Sequence, residues 1–187
     1  FHPILIYRFN LDIQLRSESL IFPKHRIDRF DLLAITEAGN IDLKRLNGEI
    51  YGGTIKTSGQ VIVEKDQNQY KVIYDIAGMN AGKLLKSFDT PGFQNGRLDM
   101  IGALKTRGRS TFDLVREMSG DGSVVIRKLG TGSKTTKGSV LSGFSNLFLA
   151  VQKFGSILSG DNLVSRKIEF DTRFRMNKGI ARFDGMI

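Results

Sequence analysis

Apolar and polar residues alternate along most of this chain with a period of two. In FNLDIQLR, Phe9, Leu11, Ile13 and Leu15 fall on one face, with Asn10, Asp12, Gln14 and Arg16 on the other. That pattern marks a half-buried strand, because successive side chains of an extended chain point to opposite sides. A second strand is expected over roughly Ile27 to Thr36, and a third begins with Ile41 and Leu43 in phase. Leu46 and Ile50 are then out of phase, which predicts a bulge near Arg45. Gly52-Gly53 lies between strand-forming runs and predicts a tight hairpin, whose central residues need positive φ. Ile55, Thr57, Val61 and Val63 alternate next, and after EKDQNQ so do Tyr70, Val72, Tyr74 and Ile76. Strands that follow one another so closely pair with their sequence neighbours, giving an antiparallel meander.

Helical signals are few. Asn80 is a good N-cap for AGKLLKSF, which stops before Pro91. Ser110 can cap STFDLVREM, with Asp113 favourably placed in the first turn. Strands are expected at GRLDMIGALKT, GSVVIRK, KIEFDTRFRM and GIARFDGMI. Between the second and third of these, residues 130–160 read as a linker, GTGSKTTKGS, and a long amphipathic helix from Val140 to Leu158. Its stripe is Leu141, Phe144, Leu147, Phe148, Val151 and Phe154, recurring at three- and four-residue steps. At ~1.5 Å per residue such a helix is close to 30 Å long.

A faint repeat links the two ends of the chain. Phe30-Asp31 precedes Gly39 by the spacing at which Phe170-Asp171 precedes Gly179, and LNGEI at 46–50 matches FDGMI at 183–187. This fits a β unit that recurs and is cut in mid-copy. Together with the start on Phe1, this leads to the expectation that residues 1–187 form a single β-groove unit, a fragment of a longer chain.

Composition narrows the function. The 187 residues are enough for one core or one long single-layer sheet, and 40% hydrophobic content argues against disorder. No apolar run is long enough to span a membrane as a helix. With no cysteine, there are no disulfides, zinc–thiolate sites or thiol nucleophiles. The net charge of +9 favours an anionic partner, or simply a well-solvated basic surface.

Catalytic equipment is missing. His2 and His25 are the only histidines, and His25 sits between Lys24 and Arg26 as a solvated turn residue would. No metal-ligand spacing occurs, and Asp12, Asp75 and Asp99 occupy polar-face strand positions as solvated charges. A phosphate-binding loop fails at GTGSKTTKGS, where Thr135 stands in place of the second glycine. RNA-reading modules need aromatics beside cations on an exposed sheet face, whereas the phenylalanines here follow the apolar faces. The expectation is therefore a protein that is no enzyme, holds no metal or cofactor and binds no nucleic acid. What remains is many strands, each apolar on one face. Either two sheets pack on each other as a sandwich, or one curved sheet keeps its apolar face as a groove.

The order LDIQLRSESL, GNIDLKRLNGEIYGGTIKTSGQV, GMNAGKLLKSF, GRLDMIGALKTRGRS, SGDGSVVIRK and IEFDTRFRMNKGI resembles the AsmA-like C-terminal region, a family that includes TamB- and YhdP-like relatives. Segment 130–160 fits this resemblance least. The resemblance implies a mainly β fold, a curved antiparallel meander forming a hydrophobic groove, in a periplasmic body of a Gram-negative envelope protein. It also implies an inner-membrane anchor upstream, and phospholipid acyl chains as cargo carried between inner and outer membranes. On this reading Leu11, Ile13, Leu15, Val61, Val63, Val72 and Tyr74 line the apolar side, together with Ile76, Leu98, Met100, Val124, Ile126, Phe170 and Phe174. The long helix then acts as a lid over the groove or as a support on its outside. The alternatives are an assembly factor for outer-membrane proteins that contacts other envelope proteins, or a basic-surface binder of polysaccharide or nucleic acid.

Overall fold

The computed structural model describes residues 10–22, 25–87, 93–131 and 167–184. Nine strands lie in it: β1 Leu11–Phe22, β2 His25–Glu37, β3 Asn40–Ile50, β4 Gly53–Ile62, β5 Asn68–Asn80, β6 Phe93–Gly108, β7 Ser119–Thr131, β8 Lys167–Asn177 and β9 Ile180–Asp184. They form one antiparallel sheet in the order of the sequence, β1 to β9. Among the described residues no second sheet covers it, so these nine strands do not form the sandwich alternative. Among the described residues β1 and β9 each pair on one side only, which leaves this sheet open at both lateral edges.

Two short helices interrupt the meander, α1 at Ala81–Ser87 and α2 at Thr111–Arg116. Both start where the capping residues place them. Asn80 Oδ1 accepts from the Lys83 amide at 2.8 Å. Ser110 Oγ accepts from the Asp113 amide at 3.1 Å, and the Asp113 carboxylate reaches back to the Ser110 amide, a full capping box. α2 is shorter than STFDLVREM suggests, because Glu117 already closes it as C-cap. The helix expected at Val140 to Leu158 lies outside the described residues, with all six of its stripe positions. β7 runs on through Thr131, into the start of the 130–160 segment.

Three hairpins share one turn chemistry. Ala38-Gly39, Tyr51-Gly52 and Lys178-Gly179 all have positive φ at both positions, 48° and 83°, 53° and 76°, 47° and 72°. Ile50 pairs with Gly53 across the second turn, so its central residues are Tyr51 and Gly52 and not the two glycines. Two-residue loops of this kind match the twist of the flanking strands, and glycine at the second position removes the Cβ penalty. Gly53 is excluded from the turn but has its own reason to be glycine: a Cβ there would sit 2.3 Å from the Met79 amide nitrogen. The repeat seen in the sequence corresponds to two equivalent hairpins, β2–β3 around Gly39 and β8–β9 around Gly179.

Four strands carry one extra residue each. The register slips between Asp28 and Asp31 in β2, Leu43 and Leu46 in β3, Ile76 and Met79 in β5, and Ile126 and Leu129 in β7. The second of these is the bulge expected near Arg45. Positive φ at Arg29, Gly78 and Lys128 marks the other three. Each bulge bends its strand and reverses the phase of alternation. Those in β2, β5 and β7 lie toward the α1 end of the strands, and that in β3 lies at mid-strand.

Candidate functional site

Residues opposite one another in an antiparallel ladder project from the same face. Following the register from strand to strand therefore assigns every side chain to a side. Leu11, Ile13 and Leu15 of β1 stand opposite Thr36, Ala34 and Leu32 of β2, and Ala34 continues into Leu43 of β3. Ile41 leads through Val61 and Tyr70 to Thr106, while Thr57 leads through Tyr74, Gly102, Gly122 and Phe174 to Phe183. Ile76, Met100, Val124 and Thr172 form a further row, and Leu98, Ile126 and Phe170 another. One apolar face thus runs unbroken from β1 to β9. Of the fourteen residues singled out in the sequence, thirteen lie on it; Val63 lies just past the end of β4.

The face has two regions that the alternation alone does not distinguish. Leu98, Val124, Ile126 and Phe174 are buried, in a cluster with Met79, Ala81 and Leu129. Tyr74, Ile76, Met100 and Phe170 surround that cluster half-buried, and Leu84 and Leu85 of α1 close it at one end of the strands. Leu11, Ile13, Leu15 and Val72 remain open, at 51%, 44%, 50% and 37% exposure. The first region is packed core, whereas the second offers apolar surface to a ligand. Sequence reasoning missed Met79 and Leu129 because each follows a bulge and so falls out of period.

Small residues let large ones lie flat on this face. A Cβ added at Gly102 would be 2.6 Å from the Tyr74 hydroxyl, and one at Gly122 would be 2.9 Å from the Phe174 ring. Gly102 and Gly122 are paired, so two aromatic rings approach from either side over bare backbone. Burial, reinforced by the negative charge of Asp121, pushes the Tyr74 phenol up to about 12. Tyr74 therefore stays neutral near pH 7, and the apolar face carries no charge there.

The opposite face is polar and ordered by ion pairs. Asp31 sits between Arg45 at 2.7 Å and Arg16 at 3.5 Å. Asp99 lies between Arg127 at 3.0 Å and Arg97 at 3.3 Å, and it also accepts the Gly78 amide at 2.7 Å. Asp99 is therefore a bulge clamp, not the merely solvated charge its polar-face position suggests. His25 also differs from expectation, beginning β2 with Nδ1 at 2.5 Å from the Tyr51 hydroxyl. Among the described residues no group of His, Asp or Glu is arranged to hold a metal ion.

A pH effect follows from Asp99. Partial burial alone would push its carboxyl up, but the Gly78 amide, Arg97 and Arg127 outweigh that and hold it below the usual carboxylate range. A depressed folded-state value means stability that is present above the unfolded value of 3.8 and is lost as pH falls through the folded one. Asp99→Asn is expected to be less stable than the parent protein in urea at neutral pH. The gap should narrow as the pH drops well below 3.8; a gap that does not change with pH contradicts this account.

The AsmA family model matches residues 7–128, from the start of β1 into β7. That is well over half of the chain, which therefore belongs to the AsmA family, one associated with the cell envelope. No curated protein and no solved structure matches it. Among the described residues no helix is long and apolar enough to cross a membrane.

Proposed function

We propose that this AsmA-family chain is a lipid-binding unit whose sheet curves into a groove. Acyl chains lie against its apolar face during phospholipid movement between the inner and outer membranes of a Gram-negative envelope. The observation that carries this reading is the continuous apolar face of a single sheet, open at both lateral edges among the described residues. At ~4.8 Å between strands, the nine strands offer a path of close to 40 Å from β1 to β9. The bulges and the glycines of β4, β6 and β7 supply the bending that a groove needs. Covering an exposed Leu or Ile with an acyl chain gains roughly 1.5–3 kcal/mol per side chain, so the Leu11, Ile13 and Leu15 row alone supports binding. The reading assigns the chain no catalytic step and no cofactor, places it in the periplasm, and leaves anchoring to a segment other than these strands.

Photocrosslinking amino acids placed on the two faces test this. A crosslinker at Ile13, Val72 or Met100 is expected to capture phospholipid from cells, and one at Gln14 is not. Ile13→Asp or Val72→Asp is expected to abolish capture at neighbouring face positions while the sheet stays folded. Capture at Gln14 with none at Ile13 would overturn the proposal.

A further inference from the structure

Charge is distributed differently at the two ends of the strands. On the α1 side Arg26 is neutralised by Asp28 at 2.7 Å and Arg29 by Glu49. Further along the polar face, Asp31 and Asp99 each sit between two arginines. On the α2 side this pattern breaks. Lys71 of β5 stands directly opposite Lys105 of β6, like charges that repel across a ladder. Among the described residues neither has a carboxylate within 4.0 Å, and neither has Lys178. Glu117 is already held by Arg107 and Arg116, and Asp113 is committed to capping α2. The three lysines line an open depression of about 480 Å³ together with Gln60, Ser119 and Asn177, all able to donate hydrogen bonds.

Exposed apolar side chains accompany these cations. Phe112 of α2 is 71% exposed and Ile180 of β9 is 61% exposed. The Gly179 amide donates to the Met118 carbonyl at 2.9 Å, which holds the β8–β9 turn against the end of α2 and brings these two segments together. Arg116 lies over the Phe112 ring at 5.8 Å. An exposed aromatic ring beside a cation suits the boundary between phosphate headgroups and acyl chains. Among the described residues the α1 side differs, since the cation opposite exposed Ile21 is Arg26, already neutralised by Asp28. Its exposed Ile21 and Phe22 end β1, whereas Lys83 and Lys86 lie on α1, which packs against β5, β6 and β7.

We infer that the α2 end of the sheet is a docking surface for an anionic phospholipid bilayer. Phe112 and Ile180 enter the acyl boundary, and Lys71, Lys105 and Lys178 face the phosphates. Lys71 and Lys105 stand on the polar face, so docking here does not require lipid to occupy the apolar face. Co-sedimentation with phosphatidylcholine vesicles, with and without phosphatidylglycerol, tests it. The parent protein is expected to bind only the anionic vesicles. Lys71→Glu with Lys105→Glu is expected to weaken binding at least about tenfold, as is Phe112→Ser with Ile180→Ser. Lys83→Glu with Lys86→Glu is expected to leave binding within about twofold, since these lysines lie outside the surface. Because the chain has no cysteine, a polarity-sensitive dye on Phe112→Cys reports insertion directly, with Lys83→Cys as the comparison. Absence of vesicle binding, equal losses in both lysine pairs, or a dye response at 83 and none at 112 would each overturn the inference. Lipid capture at Ile13 is read separately, so failure here leaves the lipid-binding proposal standing.

Discussion

Replacing Gly120 with alanine is expected to destabilise the sheet by about 3 kcal/mol or more, a large share of the ~5–15 kcal/mol that holds a typical domain folded. A Cβ at this position would lie 2.0 Å from the Ala103 carbonyl oxygen and 2.9 Å from the Leu104 Cα. Both atoms belong to the backbone of β6, which is fixed on its other side by β5. The neighbour therefore cannot rotate away as a side chain would, and relief requires opening the β6–β7 ladder. A φ of 153° adds strain for any L side chain. Gly52→Asn is the matched control. Gly52 has a φ of 76° but nothing within 4 Å of an added Cβ, and asparagine adopts that conformation readily. Urea unfolding of both variants checks the contrast. Gly120→Ala within about 0.5 kcal/mol of the parent protein would mean that β6 and β7 are not packed this closely.

Those two glycines illustrate what a sequence reveals and what it conceals. Gly52 was legible, because a glycine between two strand-forming runs signals a tight turn. The sequence could not say which of Gly52 and Gly53 belongs to the turn. Only the pairing of Ile50 with Gly53 settles that Tyr51 takes the first position. Gly120 gave no signal at all, since its requirement comes from a strand distant in sequence. The helix caps were legible for the opposite reason: Asn80, Ser110 and Asp113 act on amides three residues away.

The candidate site was read with the same division. Period-two alternation placed Leu11, Ile13, Val72 and Leu98 on one face, because the pleat alone decides that. It could not say what covers them. Leu98 is 4% exposed in the cluster closed by α1, whereas Leu11 is 51% exposed at an open edge. Both look alike in sequence, since burial depends on where α1 lies and on which strand stands at the edge. Cations were harder still. Lys71 and Lys105 each look like ordinary polar-face residues, and only the β5–β6 register makes them opposite neighbours.

Leu129→Ala is expected to cost ~2–5 kcal/mol, comparable to the glycine substitution, because it removes the most deeply buried side chain among the described residues. Leu129 is 1% exposed, although it follows two exposed cations, Arg127 and Lys128, at the end of a strand. The bulge explains this. With φ at 55°, Lys128 supplies one extra residue, so Leu129 returns to the face of Ile126 instead of pointing away from it. There it fills the space above Gly96, whose would-be Cβ lies 3.0 Å from a Leu129 methyl carbon. Met79 is returned to the same face by the corresponding bulge in β5, and the two meet in the cluster that α1 covers. Shortening Leu129 therefore leaves a cavity beneath α1 that rigid backbone on three strands cannot close. Thermal unfolding is expected to move down by roughly 2–4 °C for each kcal/mol lost. Amide exchange in α1 should accelerate more than in β1, which lies at the far edge of the sheet. A variant with parental stability would show that the β7 bulge does not return Leu129 to the apolar face. Uniform acceleration across the whole sheet would show instead that α1 is not the element this side chain anchors.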